Sequence, residues 1–270
     1  MNSLKQRVKE FIPNPIWGLA RESWLLMRHW ALWPGAFLHP LRRQSIGRLG
    51  KFYNIHQGQR AFILGNGPSL AHMDLSKLSN EISFGMNRIF LAFANWEYRP
   101  TYFLTVNDLV LEQSAEDIEA LKMNKFLSWR NRGKVSHDEY THYLHTTYER
   151  PRFAQDVRGR LWEGATVTYI ALQLAYFMGC DPVVLVGVDH NFATKGPANQ
   201  TVTSQGDDKD HFDAGYFGAG FRWQLPDLDA SERAYRMAKQ AYARDGREVL
   251  DATMGGKLNV FPKVEYTSLF

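Results

Sequence analysis

One stretch near the middle of the chain constrains its fold more than any other. Residues 166–178 form an apolar run of helical length that is stopped by Gly179 and Pro182, and Val183–Val188 then reads Val-Val-Leu-Val-Gly-Val. An apolar strand without alternation is buried on both faces, as in sheets that are mostly parallel. A helix followed so closely by such a strand therefore predicts an α/β fold in which helices cover both faces of a mostly parallel sheet.

The same alternation of short apolar runs and helical stretches continues along the rest of the chain. Strands are predicted at residues 60–64, 82–86, 101–106, 125–129 and 248–252. Asp229 and Glu232 form a capping box that predicts a helix ending near Gly246. The predicted architecture is Rossmann-like. Residues 190–227 lack periodicity, and a loop of that length in a compact domain is more often functional than idle, for instance as a lid over an active site.

The first 50 residues form a basic extension ahead of a predicted nucleotide-binding domain at residues 51–270. They hold eight Lys or Arg and two Glu, a charge of +6, so a chain of net charge +4 leaves about −2 for the remainder. This distribution argues against a nucleic-acid-binding surface on the folded body. Within residues 16–33 a helix would be amphipathic and rich in tryptophan. That face suits packing on the body, on a second copy in a homo-oligomer, or on an anionic membrane.

Cysteine content and hydropathy bear on the compartment. Cys180 is the single cysteine, no apolar run reaches 18 residues, and Pro13 and Pro15 stand where a secretory signal would be apolar. We therefore expect a cytoplasmic protein, which the basic extension can hold at the inner face of the membrane.

A glycine loop follows the first predicted strand. Residues 65–70 read Gly-Asn-Gly-Pro-Ser-Leu. Two glycines let backbone N–H groups approach an anion, Pro68 stiffens the turn, and Ser69 is predicted to cap a helix whose N-terminus favours phosphate. The loop lacks the third glycine of a dinucleotide fold and the lysine of a P-loop. We therefore predict a different nucleotide site, formed by Gly65, Asn66, Gly67, Pro68 and Ser69.

Polar residues follow several predicted strands. They are Asn66, Asn87, Asn107, Asp108 and Asp189. Ligands of a parallel α/β sheet bind beyond the carboxyl ends of its strands, so these side chains are candidates for one pocket. Asparagine donates and accepts hydrogen bonds without charge, which suits a sugar, a base edge or a phosphate. Asparagine also closes turns in many structures, and both interpretations stay open at this point.

Histidines supply the candidates for proton transfer. His211 lies among four aspartates in residues 207–213. A histidine can take a proton from a hydroxyl as a general base, and neighbouring carboxylates raise its basicity. The alternative is a solvated acidic loop. His190 follows Asp189 at a strand end, where pocket lining and metal ligation are both open. A group of three histidines, His137, His142 and His145, lacks the spacing of a zinc motif and is expected on a surface or partner face.

In their order along the chain, these motifs resemble the MptE-like domain family, named for archaeal 6-hydroxymethylpterin diphosphokinases. The resemblance is carried by residues 65–70, Phe84-Gly85-Met86-Asn87, Asn107-Asp108, Leu185-Val186-Gly187-Val188-Asp189 and residues 252–262, and it covers about residues 50–270.

The scaffold is also similar to the bacterial sialyltransferases of glycosyltransferase family 42 and to the motility-associated factors that glycosylate flagellin. That similarity implies that a CMP-linked donor is held by Asn66, Gly67, Ser69, Asn87 and Asn107, with a hydroxyl contact from Thr166 to Thr168. It implies that His211 is the general base of an inverting transfer that needs no obligatory metal or other cofactor. Asp189 and His190 complete the catalytic residues that we predict.

The resemblance implies a nucleotide-sugar-dependent glycosyltransferase that makes surface polysaccharide or glycoconjugate on a glycan or lipid-linked acceptor. One departure concerns the donor sugar, because the sialyltransferases place two tyrosines after the Gly-x-Asp strand. Here residues 189–193 contain none, and His190 or Tyr216 would have to replace them.

The alternative is an MptE-like diphosphokinase that transfers diphosphate from ATP to a hydroxymethylpterin-type substrate. Such a transfer needs Mg²⁺ held by carboxylates. Asp108 and Asp189, together with Asp207 or Asp208, would supply them.

Overall fold

The structure, a computed structural model, describes Ser23, Met27 and residues 34–270. The chain divides into two compact units, residues 1–44 and residues 45–270. The amphipathic helix predicted for residues 16–33 lies outside the described residues, apart from Ser23 and Met27, and the domain boundary predicted at residue 50 stays a prediction. Among the described residues, no helix combines the length and the apolarity that crossing a bilayer requires.

Residues 45–270 are organised around one eight-stranded sheet. In chain order its strands are β1 (Ala61–Leu64), β2 (Ile82–Met86), β3 (Tyr102–Thr105), β4 (Lys125–Ser128), β5 (Thr141–Thr147), β6 (Arg160–Trp162), β7 (Val183–Val186) and β10 (Val249–Asp251). Their spatial order is β10-β7-β1-β2-β3-β4-β5-β6, and every neighbouring pair is parallel. The intervening β8 (Thr201–Thr203) and β9 (Arg222–Gln224) form a separate antiparallel hairpin. The predicted α/β fold is confirmed.

Helices pack around this sheet. The α-helices that lie wholly within residues 40–270 are α1 (Pro40–Leu49), α2 (Asp108–Gln113), α3 (Ala115–Ala120), α4 (Val167–Phe177) and α5 (Leu228–Arg244). Every residue of α4 from Thr168 to Phe177 is buried, because α4 packs against β1, β2 and β3 on one side and α5 on the other. The apolar run that made this helix predictable is therefore the run that the sheet and α5 enclose. The helix α5 is capped by Asp227, which accepts from the N–H of Ala230, rather than by the predicted Asp229.

Sheet order reverses at one place. From β1 the chain adds β2 to β6 on one side of the sheet, and only then returns through α4 to place β7 on the other side of β1. The connections on the two sides leave in opposite directions, so a crevice opens at the carboxyl ends of β1 and β7.

The sequence analysis did not predict two of the strands, β5 and β6. β5 and β6 carry polar residues that are usual on exposed surfaces, but β5 lies inside the sheet between β4 and β6. His142 and His145 on β5 are therefore only 3% and 5% exposed, and the predicted surface or partner face for them is wrong. The His142 ring packs edge-on against Phe52, and its Nε2 pairs with Asn124 Oδ1 at 2.9 Å.

Burial lowers the pKa of His142 from 6.5 to about 4, and this predicts a pH-dependent stability. Between those two pH values the unfolded chain binds a proton that the folded protein does not, so stability falls as pH drops through that window. The loss has an upper bound of about 3 kcal/mol. We expect His142→Gln to flatten the dependence of the urea midpoint on pH between about pH 7 and about pH 4.

The exposed His72 provides the matched control, because His72→Gln removes a histidine that is not buried. A wild-type slope in His142→Gln would contradict the assignment of the buried histidine as the pH-sensitive group.

Candidate functional site

A pocket lies in the crevice at the carboxyl ends of β1, β2 and β7. Its cavity volume is about 150 Å³. Its lining includes predicted site residues from every part of the chain: Gly65, Asn66, Gly67, Asn87, Thr166, Thr168, Asp189, His190 and His211. Four other predicted residues, Pro68, Ser69, Asn107 and Asp108, do not line it. The structure thus brings most of the predicted residues together although they are spread over about 150 positions of sequence.

The glycines of the loop serve first to join two strand ends. A Cβ on Gly65 would lie 2.1 Å from the carbonyl oxygen of Gly187, and a Cβ on Gly67 would lie 1.9 Å from Oδ2 of Asp189. The N–H of Gly65 donates to Val186 O at 2.7 Å, and the N–H of Gly67 donates to Gly187 O at 2.9 Å. At Gly65 and Gly67 the loop therefore lies against the segment after β7 with no space for a side chain.

Asp189 binds the same loop. Its carboxylate accepts from the hydroxyl of Ser69 at 2.7 Å and from the N–H of Ser69 at 3.2 Å, and burial raises its pKa. Ser69 lies within a 3₁₀ helix whose N-cap is Gly67, so the predicted capping role of Ser69 is wrong. Because the N–H groups of Gly65, Gly67 and Ser69 already have protein acceptors, a phosphate in the pocket needs other donors.

Asn66 lines the pocket and carries an unsatisfied acceptor. Its Nδ2 donates to Met86 O at 3.1 Å, which fixes the orientation of the amide. Its Oδ1 is buried and has no hydrogen-bond partner among the described residues. A buried acceptor without a partner is costly, so this atom is suited to a ligand N–H or O–H.

Asn87 combines the two roles that the sequence left open. It sits at the end of β2 with φ of 51°, a left-handed conformation that asparagine tolerates. Its Oδ1 accepts from the hydroxyl of Thr105 at 2.9 Å, and its side chain bonds to Tyr216. It closes a turn and also lines the pocket.

Asn107 and Asp108 have structural partners outside the pocket. Asn107 caps α2, with Oδ1 accepting from the N–H groups of Leu109 and Val110. Asp108 pairs with Arg130 at 3.1 Å, and Arg130 also binds the buried Glu163 at 2.6 Å. These residues belong to a charged cluster at the carboxyl ends of β3, β4 and β6. Within the described part of the chain, no group of three or more His, Cys, Asp or Glu is arranged to hold a metal.

The N-terminus of α4 forms one wall of the pocket. Thr166 is the N-cap, with Oγ1 accepting from the N–H of Thr168 at 3.3 Å and lying 3.3 Å from the hydroxyl of Tyr235. Ala165 takes a left-handed conformation that turns the chain into the helix. The first N–H groups of a helix have no intrahelical acceptor, and with the helix dipole they favour an anion.

His190 lies on the same side of the pocket. Its side chain is 7% exposed, and its Nε2 lies 3.3 Å from Oε1 of Glu232 on α5. The ring also meets Tyr235 edge-on at 6.2 Å. This geometry assigns His190 a lining position beside α5.

His211 reaches the pocket from the long loop at residues 190–227. The N–H of Phe212 donates to Asn66 O at 2.9 Å, which ties the loop to the glycine turn. The imidazole Nδ1 lies 2.8 Å from Oδ2 of Asp208. The ring stacks on Tyr216 with 4.0 Å between centroids and 3° between planes.

Some lining residues gave no signal in the sequence. Tyr235 and Ser231 belong to α5, where their positions match an ordinary amphipathic pattern, and only the packing of α5 on α4 brings them to the pocket. Tyr216 was named as a substitute tyrosine, but its contact with His211 depends on the fold of the loop.

Comparison with known proteins places these features in a family. The family described as 6-hydroxymethylpterin diphosphokinase MptE-like matches residues 41–195. The solved structure of the MAf glycosyltransferase from Magnetospirillum magneticum AMB-1 is similar, with a TM-score of 0.50 and 17% sequence identity. The similarity covers 90% of this chain and 41% of that one, so the chain spans about two fifths of that protein. At this identity the likeness shows the fold. No curated protein matches the chain.

The contact between Gly65 and Gly187 predicts a large effect of a single methyl group. Gly65→Ala forces backbone against backbone at the ends of β1 and β7, and we expect a loss of about 3 kcal/mol in the free energy of unfolding. The urea unfolding midpoint would measure it. Gly133→Ala is the control, since a Cβ there meets nothing within 4 Å. Equal midpoints for the two variants would show that the strand ends tolerate separation.

Proposed function

Because the chain belongs to the MptE-like family, we propose that it is a transferase acting on a nucleotide-activated donor, and that the transferred group is a sugar. The observation that carries the proposal is the pocket in which Asn66, Asn87, the N-terminus of α4 and His211 face one space at the switch point of the sheet. Both the family and the structural neighbour are named for transferases, and the neighbour is named as a glycosyltransferase.

We assign the donor phosphate to the N-terminus of α4. The N–H groups of Gly65, Gly67 and Ser69 are engaged within the protein, whereas Val167, the first residue of α4, lines the pocket with an N–H that has no intrahelical acceptor. Asn66 Oδ1 requires a hydrogen-bond donor, which a fully ionised phosphate lacks. It would therefore accept from a hydroxyl of the ribose or the sugar, or from an amino group of the base.

His211 is the proposed general base. With Nδ1 turned to Asp208, the other ring nitrogen is the one left for the pocket that His211 lines. Nε2 would remove the proton of an acceptor hydroxyl while that oxygen forms the new bond to the anomeric carbon. The bond from the anomeric carbon to the phosphate oxygen breaks, and the nucleoside phosphate leaves with the electron pair. Attack opposite the leaving group inverts the anomeric configuration.

The size of the cavity limits which part of the donor it can hold. At about 150 Å³ it is smaller than the roughly 300–1,000 Å³ of most ligand pockets, and it suits a sugar and a phosphate rather than a whole donor. We therefore propose that residues 190–227, which supply His211 and Tyr216, open to admit the donor.

Diphosphate transfer from ATP is the second candidate, because the family carries that name. It would place Mg²⁺ between carboxylates. Of those predicted for this role, Asp189 lines the pocket but is bound to Ser69, Asp108 pairs with Arg130 elsewhere, and Asp208 pairs with His211. This dispersal favours glycosyl transfer without a metal.

The proposal predicts a nucleotide preference and one essential base. In a thermal-shift screen of CMP-, UDP- and GDP-linked sugars and their nucleotides, we expect one nucleotide class to raise the melting temperature without Mg²⁺. His211→Ala should retain that shift and lose turnover roughly 10²- to 10⁴-fold, measured as nucleotide release from the sugar that binds.

His72→Ala is the control, since His72 is exposed and lies outside the pocket. Full turnover in His211→Ala would remove it as the base. A shift only with ATP and Mg²⁺, with AMP release that EDTA abolishes, would establish the diphosphokinase instead.

We further propose a glycan or lipid-linked acceptor, presented at an anionic membrane that the basic extension, residues 1–50, contacts. Deleting residues 1–33 removes most of this extension and keeps residues 34–270 in the chain. We expect the deletion to abolish cosedimentation with vesicles that contain phosphatidylglycerol, while the nucleotide-induced thermal shift is kept. Cosedimentation that survives the deletion would refute the membrane role of the extension.

A further inference from the structure

The side chains around His211 include a carboxylate that binds its imidazole, that of Asp208. We infer that Asp208 is a positioning residue that acts through His211, fixing which ring nitrogen faces the pocket. The inference rests on the proposed function, since His211 acts as a base only in that reaction. Asp208 itself does not line the pocket, so any effect it has on transfer must pass through the imidazole.

The contact between the two side chains is buried and short. Asp208 Oδ2 lies 2.8 Å from His211 Nδ1, and the side chains are 5% and 13% exposed. The same carboxylate accepts from the N–H of Phe217 at 3.2 Å and from the N–H of Asp210 at 2.8 Å. With these backbone donors the carboxylate has little freedom to turn away. A carboxylate only accepts, so Nδ1 carries the hydrogen and Nε2 keeps its lone pair.

Other acidic residues of the segment do not fill this role. Asp210 is the immediate neighbour of His211, but its oxygens accept from the N–H groups of Ala193 and Thr194 and from the Thr194 hydroxyl. Asp213 accepts from the N–H of Gly215 at 2.7 Å. Asp207 is exposed. The predicted acidic surroundings of His211 thus resolve into one carboxylate that binds it and others with separate partners.

Tyr216 prevents the ring from rotating. It stacks on one face of the imidazole, while Phe217 meets it edge-on at 4.9 Å. Tyr216 is held in turn by Arg88, whose N–H donates to the tyrosine hydroxyl at 3.3 Å and whose guanidinium donates to the tyrosine carbonyl. Arg88 therefore holds Tyr216, while Asp208 holds His211. The stack leaves the edge with Nε2 as the route to the pocket.

The consequence is a fixed tautomer before substrate arrives. Free imidazole of histidine favours the tautomer with hydrogen on Nε2, which cannot accept a proton there. Asp208 selects the opposite tautomer and then stabilises the imidazolium that forms when Nε2 takes the acceptor proton. The carboxylate gains no proton in this step. Its contribution is to keep the lone pair of Nε2 available and correctly aimed.

The test observes the tautomer directly and needs no ligand. In the full chain labelled with ¹⁵N-histidine, with the His211 signals assigned by loss in His211→Gln, we expect wild-type shifts of a protonated Nδ1 and a bare Nε2. Asp208→Asn should move them toward the Nε2-protonated form. Nucleotide release from the bound nucleotide sugar should fall roughly 10²-fold or more, mainly in kcat.

Asp213→Asn is the matched control, because it removes the same charge two residues from His211 and its amide oxygen can still accept from Gly215. Asp208→Glu should restore part of the tautomer preference. Unchanged ¹⁵N shifts in Asp208→Asn would overturn the inference and leave the proposed function intact. A tautomer change in Asp208→Asn alongside full turnover in His211→Ala would instead refute the proposed function.

Discussion

The approach of Gly65 to Gly187 is the constraint on which the rest of the site depends. These two residues end the neighbouring strands β1 and β7, and a Cβ on the first would lie 2.1 Å from the carbonyl oxygen of the second. The contact brings Asp189 against the glycine loop, where it binds Ser69. The loop therefore connects the ends of the two strands, and the N–H groups of Gly65, Gly67 and Ser69 bond to acceptors of the protein itself. The N-terminus of α4 lines the same crevice.

The carboxyl edge of the sheet is divided into two chemically different halves. At β1, β2 and β7 it offers two amides, a helix N-terminus, two imidazoles and the carboxylates of Asp189 and Asp210 around a cavity. At β3, β4 and β6 it carries the Asp108–Arg130–Glu163 cluster, where burial raises the pKa of Glu163 even beside a guanidinium. The charges of the second half satisfy one another. The pocket in the first half is separate from these ion pairs.

The sequence predicts features that depend on local patterns better than features that depend on contacts between residues far apart in the chain. The fold follows from local patterns, since the runs at α4 and β7 are long and apolar enough to indicate burial. Asn66 and Asn87 were predicted at the pocket because strand ends meet at one edge. Asn107 shows the limit of that rule, because an asparagine after a strand caps a helix when its Oδ1 meets the first N–H groups. His142 shows a second limit, since it lies on a polar strand in the interior of the sheet, and such a strand lacks the apolar pattern by which buried strands are predicted.

The long loop, residues 190–227, is the region that the sequence predicts least well. Four aspartates near His211 are equivalent in sequence, yet only Asp208 meets the imidazole, because the bond from Phe212 N–H to Asn66 O fixes the segment on the glycine turn. Arg88, next to Asn87 at the end of β2, then holds Tyr216 against the ring. Sheet edge and loop thus position one another. The carboxylate of Asp208 is engaged with His211 and with the backbone N–H groups of Asp210 and Phe217. That mutual positioning is the observation on which the proposed glycosyl transfer rests.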